Sequence, residues 1–450
     1  MLPPVRATTS LLPPLALAAL AVTGCGGGTS SPAACLPAAA GPVTIGGPEH
    51  RAPVVAADAR GEAVAAWESD RGGRIQAASR SAAGAWSKPR SLSGPDARDP
   101  AVAIEPSGAA LVVWQDFDSD NRRVVRAASR SPGGRWSRAA ALSAPAAEAR
   151  EATVGMDARG GATVAWSRSG SGDQAVIEVV HRPPGGVWSA PLTLGRPSDR
   201  SRAPHIAVNA AGDAALVWRG REGRRSIVHA SVRIGGRWSP SQPISPAGAW
   251  ARQPDAGIDA AGRALAVWLL TDARDQDGQP QWAERTAHGA WSAPRALSAR
   301  ADAPFELSRP TPSDNGPRVA VAPSGAAVAV WQLGIDGTNR VEAAARGRGG
   351  SWSRPATLSR GGEAGEARVV IGPSGGALAA WEELAGDDFR IRAARAGADG
   401  AWGPCRDVSR RREDAAGLEI DGPPGGATAV WVGTNRETIL AGRPGPEAAR

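Results

Sequence analysis

The sequence predicts an all-β protein, an eight-bladed β-propeller of four-stranded antiparallel blades that is closed by an N-terminal strand. Eight times a short apolar strand ends in Trp, at intervals of 47 to 63 residues. Seven times a second Trp follows 19 to 23 residues later. Self-similarity at a fixed period of this length is typical of repeat architectures. The first series is Trp67, Trp114, Trp166, Trp218, Trp268, Trp331, Trp381 and Trp431, and the second is Trp86, Trp136, Trp188, Trp238, Trp291, Trp352 and Trp402.

Each unit contains four strand-like pieces. The first has a Pro-x-Val-Ala pattern, as at 100–105, and ends in a turn with Asx and Gly, as at 58–61. The second is the apolar strand that ends in Trp, a polar loop leads to the third, and Trp-Ser begins the fourth. Four short antiparallel strands per 50 residues predict the blades of a propeller. A stacked β-solenoid is the alternative, although its coils are shorter.

The two ends of the repeat complement each other. The last unit has three strands, at 418–421, 426–431 and 438–441, and lacks a fourth. Residues 42–45 match the fourth-strand pattern, with Pro42 in the place of Pro89 and Ile45 in that of Leu92. We therefore expect the N-terminal segment to complete the eighth blade, which removes the free sheet edges of an open array.

The N-terminus predicts export. Arg6 precedes an apolar stretch at 11–22 that is short for a membrane span and typical of a signal peptide. It ends in Val-Thr-Gly-Cys at 22–25, which resembles the lipobox of bacterial lipoproteins and implies acylation of Cys25; the alternative is an ordinary secretory signal with an incidental Cys. The predicted organisation is a signal peptide at 1–24, a lipid-anchored linker at 25–41, the propeller at 42–441 and a tail at 442–450. Acyl chains would hold such a protein on the extracytoplasmic face of the cell membrane.

The remaining cysteines predict one disulfide. Cys405 occupies the fourth strand of blade seven, and Cys35 lies just ahead of the closing strand. An exported protein is in disulfide-permissive surroundings, and with Cys25 acylated one pair is left. A Cys35–Cys405 bond would contribute roughly 4–5 kcal/mol by the chain-entropy model. Two unpaired thiols are the alternative.

The charge distribution argues against a nucleic-acid partner. The formal charge is +8, but the 52 basic and 44 acidic residues are interspersed, without basic runs between exposed aromatics. We expect a monomer whose partners are the membrane, through its anchor, and a glycan or protein ligand.

One segment carries a family resemblance. Residues 126–137, Arg-Ala-Ala-Ser-Arg-Ser-Pro-Gly-Gly-Arg-Trp-Ser, resemble the Asp-box (BNR) repeat of bacterial sialidases and related propellers, Ser-x-Asp-x-Gly-x-Thr-Trp. The resemblance implies a propeller over 42–441. It does not carry the catalytic residues, because the family's Tyr nucleophile has no counterpart in a chain without Tyr, and family sialidases have six blades. The box aspartate is replaced in every copy, by Ser81, Ser131, Pro183, Arg233, Thr286, Gly347 and Gly397.

An arginine precedes the inner strand of five consecutive blades. These residues fall on the face that carries the second-to-third and fourth-to-first connections, the usual ligand face of a propeller. Guanidinium groups around one channel mouth could bind a carboxylate or sulfate bidentately. The alternative is that each one pairs with a carboxylate of a neighbouring blade. The five residues are Arg51, Arg98, Arg150, Arg202 and Arg252.

Blade five carries the longest connections on the same face. The loop at 269–280 and the stretch at 299–316 lie beside the two tryptophans outside the period, Trp250 and Trp282, and Phe305. Repeat proteins place functional variation in insertions on one face, and exposed aromatics suit sugar or peptide binding. The alternative is that these aromatics anchor a long insertion.

Two acidic loops have the alternating oxygens that Ca²⁺ binds. One contains Asp116, Asp118 and Asp120, and the other spans 272–278. Neither has the distal Glu of an EF-hand, and solvated acidic loops are the alternative. No other cofactor is predicted.

Three hypotheses for the function follow. The first is a lipid-anchored binding or scaffold module for a glycan or protein. The second is a glycan-active hydrolase or lyase that uses carboxylates such as Asp116, Glu382 or Glu383, because no other catalytic constellation is evident. The third is an envelope-assembly scaffold, by analogy with other eight-bladed lipoprotein propellers.

Overall fold

Eight antiparallel sheets make up the computed structural model of the chain, which confirms the predicted eight-bladed β-propeller. The sheets belong to the unit Ala34–Arg450. The structure describes residues 35, 41–47, 50–69, 73–145, 148–172, 174–196, 199–271, 278–298, 316–335, 338–361, 363–433, 438–442 and 444. The predicted signal peptide and Cys25 lie outside these ranges. Within them, no helix is long and apolar enough to cross a membrane.

Each blade runs from its innermost to its outermost strand in chain order, except the eighth. Blades one to three comprise β2 (His50–Ala57), β3 (Ala63–Ser69), β4 (Arg74–Arg80) and β5 (Arg90–Ser91); β6 (Arg98–Ile104), β7 (Ala110–Phe117), β8 (Arg123–Arg130) and β9 (Ala140–Ala141); β10 (Ala149–Met156), β11 (Ala162–Ser169), β12 (Ala175–Arg182) and β13 (Leu192–Leu194). Blades four to six comprise β14 (Arg202–Val208), β15 (Ala214–Glu222), β16 (Arg225–Ile234), β17 (Arg237–Trp238) and β18 (Gln242–Pro243); β19 (Trp250–Ile258), β20 (Ala264–Thr271), β21 (Gln279–Arg285) and β22 (Arg295–Ala296); β23 (Arg318–Val321), β24 (Ala327–Ile335), β25 (Thr338–Arg346) and β26 (Ala356–Thr357). Blades seven and eight comprise β27 (Ala364–Ile371), β28 (Ala377–Ala385), β29 (Asp388–Ala396) and β30 (Arg406–Asp407); β31 (Ala415–Asp421), β32 (Thr428–Gly433), β33 (Thr438–Gly442) and β1 (Val43–Thr44).

The chain closes its ring in the eighth blade, as the sequence predicts. The strand β1 pairs antiparallel with β33, with Val43 opposite Ala441 and Thr44 opposite Leu440. The Ile45 N–H donates to the Ile439 carbonyl at 2.9 Å. This pairing gives the C-terminal blade its outer strand, and no open sheet edge remains between the last blade and the first.

The predicted disulfide is present in the structure. It joins Cys35 to Cys405 across 370 residues, with the Cα atoms 5.0 Å apart. Cys405 is buried in the core cluster that contains Trp381 and Leu358, between blades six and seven. The bond ties the segment ahead of the closing strand to blade seven, and it is typical of an oxidising, extracytoplasmic compartment.

The strand-ending tryptophans form the core between blades. All eight are at most 1% exposed. Each packs against the preceding blade: Trp114 lies with Val64 and Ile75 of blade one, and Trp67 lies with Ile439 of blade eight. A large apolar side chain at one equivalent position per blade therefore fills every gap between neighbouring sheets.

One or two serines hold the short outer strand in blades one to seven, a feature that we did not predict. The Ser after the second Trp accepts a hydrogen bond from a third-strand N–H, as Ser137 does from Ser129 at 3.0 Å. A later Ser does the same further along, as Ser143 does from Val125 at 3.0 Å. These hydroxyl groups satisfy backbone donors that a two-residue strand cannot reach.

A bulge bends the innermost strand of seven blades near its start. The residue at the bulge adopts a left-handed conformation, with φ between +47° and +57° in the six blades where it is not glycine. Non-glycine residues rarely adopt this conformation, and such strain is often found at functional sites. The bulge sets the preceding residue, which is the arginine of blades one to five, at the mouth of the central channel. The non-glycine bulge residues are Ala52, Asp99, Glu151, Ala203, Gln253 and Glu366.

Candidate functional site

The five predicted arginines occupy one equivalent position at the channel mouth. Each lies directly opposite the residue that follows the strand-ending Trp, because the first two strands of a blade are antiparallel. The opposite residue differs among these five blades, and it is acidic only in blade one. The cross-strand pairs are Arg51 with Glu68, Arg98 with Gln115, Arg150 with Ser167, Arg202 with Arg219 and Arg252 with Leu269.

Arg51 and Arg150 pair with carboxylates, although not with those of a neighbouring blade, as the pairing alternative required. Arg51 Nε lies 3.0 Å from the carboxylate of Glu68, and Arg150 Nη2 lies 3.6 Å from that of Glu148. Both carboxylates belong to the same blade as the arginine and not to a neighbouring one. The guanidinium groups of Arg98 and Arg202 make no ion pair or hydrogen bond with the described part of the chain.

Arg219 joins this set although its position in the sequence did not single it out. It follows Trp218 directly, where the other blades carry neutral or acidic residues. Its side chain is half-buried, and like Arg202 it has no ion pair or hydrogen bond with the described residues. The sequence could have identified Arg219, because the residue after the strand-ending Trp is basic in no other blade.

Four arginines of blades three to five repel one another, and we call Arg150, Arg202, Arg219 and Arg252 the arginine arc. Burial lowers the pKa of Arg150, and the Arg202 guanidinium lowers it further. Burial and Arg202 likewise lower the pKa of Arg219, and burial and Arg219 lower that of Arg252. Glu148 and Glu151 offset part of this charge.

The arc costs the folded protein free energy. Arg202 and Arg219 are cross-strand partners, and like charges directly opposite in a sheet are destabilising. One oxygen of Glu151 already accepts the Ala203 N–H at 2.7 Å, so this carboxylate is partly engaged by the backbone. An anionic ligand would relieve the repulsion and satisfy the guanidinium donors.

The residue that follows the bulge on an inner strand, and pairs again with the second strand, forms with its equivalents in the other blades a further ring around the channel. This ring has one polar side and one apolar side. The equivalent positions are apolar or small in blades one to three and charged or polar in blades four to eight. His205 Nδ1 lies 3.8 Å from the Asp255 carboxylate and 3.5 Å from Arg318 Nη1, and Arg368 Nη2 lies 2.9 Å from Glu419. The full ring is Val54, Ala101, Thr153, His205, Asp255, Arg318, Arg368 and Glu419.

The carboxylates considered for catalysis are engaged within the protein. Glu382 and Glu366 are buried side by side and hydrogen-bonded to each other, and burial followed by repulsion from Glu366 raises the pKa of Glu382 well above its usual value. A retaining glycosidase needs carboxyl groups about 5 Å apart and an inverting one needs more, so a directly bonded pair leaves no room for a sugar between them. Glu383 binds Arg392 at 2.6 Å, and Asp116 binds Arg126 at 3.1 Å.

The structure buries Trp282, one of the predicted ligand aromatics. Trp282 is 6% exposed and packs between blades five and six, against Trp331 and Trp352. It occupies a third-strand position that other blades fill with Ala or Val, so its size serves core packing. Trp250 is half-buried at the start of β19, two residues before Arg252 and beside the arc. Phe305 lies outside the described residues.

The predicted calcium loop uses its oxygens within the protein. One oxygen of Asp116 binds Arg126, and Asp118 Oδ1 accepts the Asp120 and Arg122 N–H groups at 3.0 and 2.9 Å. The described ranges bring together no group of three or more His, Cys, Asp or Glu side chains that could hold a metal ion. The second acidic loop lies outside those ranges at 272–277.

No protein-family model and no curated protein matches the sequence. Among solved structures, a lectin from Burkholderia pseudomallei superposes with a TM-score of 0.53 at 15% identity, over 80% of this chain and 99% of the lectin. A polysaccharide lyase, an ulvan lyase bound to -[GlcA(1-4)Rha3S]-, superposes with a TM-score of 0.52 at 10% identity, over 78% and 95% of the two chains. These similarities show the propeller fold that the Asp-box resemblance implied.

Replacing Arg219 with Glu should stabilise the protein, because it recreates opposite Arg202 the ion pair that Arg51 and Glu68 form in blade one. We expect the free energy of unfolding to rise by about 0.2–1 kcal/mol in urea titrations. The matched control, Arg51→Gln, breaks the existing pair and should lower it by a similar amount. A loss of stability in Arg219→Glu would show that Arg219 supports the fold.

The buried Glu382 carboxyl should make the free energy of unfolding depend on pH. Because the pKa of Glu382 is raised in the folded state, its contribution is complete below the unfolded value of 4.5 and is lost as pH rises through the folded pKa. In Glu382→Gln, the free energy of unfolding should fall less between about pH 4.5 and pH 8 than in the wild type. Urea titrations across this range test the difference, with Asp120→Asn on an exposed loop as the control; parallel curves for wild type and Glu382→Gln would contradict it.

Proposed function

We propose that the protein is an exported, lipid-anchored binding module that holds an acidic glycan at the channel mouth. The observation that carries the proposal is the arginine arc, in which Arg202 and Arg219 face each other without a bond to the described residues. Partly buried guanidinium groups that repel one another destabilise the free protein. When an anion is bound, the same groups form charge-assisted hydrogen bonds that favour the complex.

The surroundings of the arc suit a sugar. Trp250 is half-exposed beside Arg252, where its ring can cover the apolar face of a pyranose. Behind the arc, the channel pairs apolar positions such as Val54 and Ala101 with polar ones such as His205 and Asp255. Carbohydrates present the same combination of apolar faces and hydroxyl groups.

Similar propellers support the choice of a glycan over a protein ligand. The two solved structures described above are a lectin and a lyase bound to a glycan that contains glucuronate and sulfated rhamnose. Their similarity is one of fold, so the choice of an acidic glycan for this chain depends on the arc.

Binding fits the geometry better than catalysis. Each carboxylate considered for hydrolysis is bonded to another protein group, and the closest pair is in direct contact. A glycan-active enzyme remains the second candidate function because His205 and Asp255 lie 3.8 Å apart in the channel, an arrangement that can move a proton. Product formation in the binding assay below would favour this second function.

Acidic glycans should bind and neutral ones should not. We expect dextran sulfate and polygalacturonate to bind in a glycan array or by calorimetry, and unsulfated dextran to give no signal. Arg202→Gln and Arg219→Glu should each weaken binding about tenfold or more, because each removes a charge-assisted bond. Trp250→Ala should weaken it less.

Arg135→Gln is the matched control, since Arg135 is exposed in a third-to-fourth turn on the opposite face. Unchanged affinity in the arc variants, or no glycan signal from the wild type, would refute the proposal and leave a protein ligand or an envelope scaffold.

The membrane anchor is a separate part of the proposal. We expect the wild type, expressed in a bacterial host, to partition into the detergent phase and to incorporate labelled fatty acid. Cys25→Ser should abolish both, because its sulfur would carry the acyl chains. A wild-type protein recovered unlabelled in the aqueous phase would instead indicate an ordinary secretory signal.

A further inference from the structure

A second site lies on the face opposite the channel mouth, where the repeat omits an arginine. In six blades of the described part of the chain, the third strand carries an Arg opposite the first residue of the second strand. Blade seven has Ala396 there, opposite Ala377. The six arginines are Arg80, Arg130, Arg182, Arg233, Arg285 and Arg346. In the sequence, Arg443 stands at the equivalent place of blade eight, outside the described residues.

In blades one, two and four this arginine donates to a glycine carbonyl in the first turn of its blade, as Arg80 Nη2 does to Gly61 at 2.9 Å. Arg130 Nη1 donates to the Gly108 carbonyl at 2.8 Å, and Arg233 Nη1 donates to the Gly212 carbonyl at 2.7 Å. Others reach the preceding blade, as Arg182 does to the Ser129 hydroxyl at 2.9 Å. The fold therefore provides hydrogen-bond acceptors for a guanidinium group at this position, from the first turn in some blades and from the preceding blade in others.

The first turn of blade seven lines a cavity of about 330 Å³ between blades six and seven. Gly375 lines it and is the equivalent of Gly108 and Gly212, with the same left-handed backbone at φ +91°. No described residue donates a hydrogen bond to the Gly375 carbonyl. The glycine carbonyl that accepts from the arginine in blades one, two and four is thus present in blade seven, where Ala396 stands in place of the arginine.

Blade seven also differs from the other blades in the charge of the residues around this position. Asp399 lines the cavity and is the only acidic residue in any third-to-fourth turn of the repeat. Its Oδ1 accepts the Ala401 N–H at 3.1 Å, and its Oδ2 makes no bond with the described residues. On the opposite wall, the positive charge of Arg346 is neutralised by Glu284 at 2.9 Å. Loss of a cation and gain of an anion both favour a cationic occupant.

We propose that this cavity, the blade-seven niche, binds a guanidinium group supplied by a ligand. The group replaces the missing arginine, donates to the Gly375 carbonyl and faces the Asp399 carboxylate. Its source is either a small guanidinium compound or an arginine side chain of a partner protein, and the probes below distinguish the two.

The first test uses methylguanidinium against N-methylurea, a neutral probe of nearly the same shape. We expect methylguanidinium at low millimolar concentration to shift the indole resonance of Trp402, which packs with the niche residues Val328 and Ala345. N-methylurea should not shift it. N-acetyl-arginine amide and the peptide Gly-Gly-Arg-Gly-Gly then test the source, because tighter binding of the peptide indicates a partner protein and equal binding indicates a small compound.

Two variants test the geometry. Ala396→Arg fills the niche as in the other blades, so it should abolish methylguanidinium binding and raise the melting temperature. Asp399→Asn keeps the cavity but removes the charge, so it should weaken binding about two- to fivefold. Asp388→Asn, at the other face of the same blade, is the matched control and should bind like the wild type.

The proposal is overturned if methylguanidinium and the arginine probes all fail to bind the wild type, in which case the cavity is only a packing defect. It is also overturned if Ala396→Arg binds as well as the wild type. Because the niche lies on the face opposite the arginine arc, loss of glycan binding leaves this result unaffected.

Discussion

The structure depends on the packing of one tryptophan from each blade against the blade before it. Each of the eight is essentially fully buried and brings a large apolar area to the gap between two sheets. A gap that is filled at every step fixes the angle between neighbouring blades, and eight equal steps bring the last blade beside the first. The N-terminal strand can then complete the eighth blade, and Asp421 accepts the Ala57 N–H at 2.9 Å across the junction.

Both candidate sites are departures from this repeat. At the channel mouth, a basic residue stands at a position that is neutral or acidic in the other blades, so that Arg219 faces Arg202. On the opposite face, Ala396 replaces an arginine while Asp399 brings an acid into a turn that otherwise has none. Residues that recur at equivalent positions of a repeat usually serve the packing of its units. A residue that departs from the pattern and lowers stability is therefore better evidence of function than one that follows the pattern.

The sequence predicted most of the fold because the relevant signals are local or periodic. The turn at 58–61, the Trp-ending strands and the fourth-strand pattern at 42–45 each indicated a structure within a few residues, and together they gave the blade count and the closure. The Cys35–Cys405 pair also followed from the blade count, since it placed both residues near the seam. The prediction for Trp282 was weaker, because a large aromatic residue at this point of the sequence suits either a ligand-binding loop or the core. Only the position of the neighbouring blade shows that its ring is covered.

The sequence by itself determined the period, the number of blades and the strand that closes them, because hydrophobic spacing and turn residues act over short stretches of chain. The tertiary structure alone decided which charges meet. Arg202 and Arg219 are 17 residues apart but opposite in the sheet, and Glu366 and Glu382 interact in the protein interior. Gly375 and Asp399 of blade seven line one cavity together with Arg346 of blade six. These contacts arise from strand register and from the packing of separate blades, and neither leaves a periodic mark in the sequence.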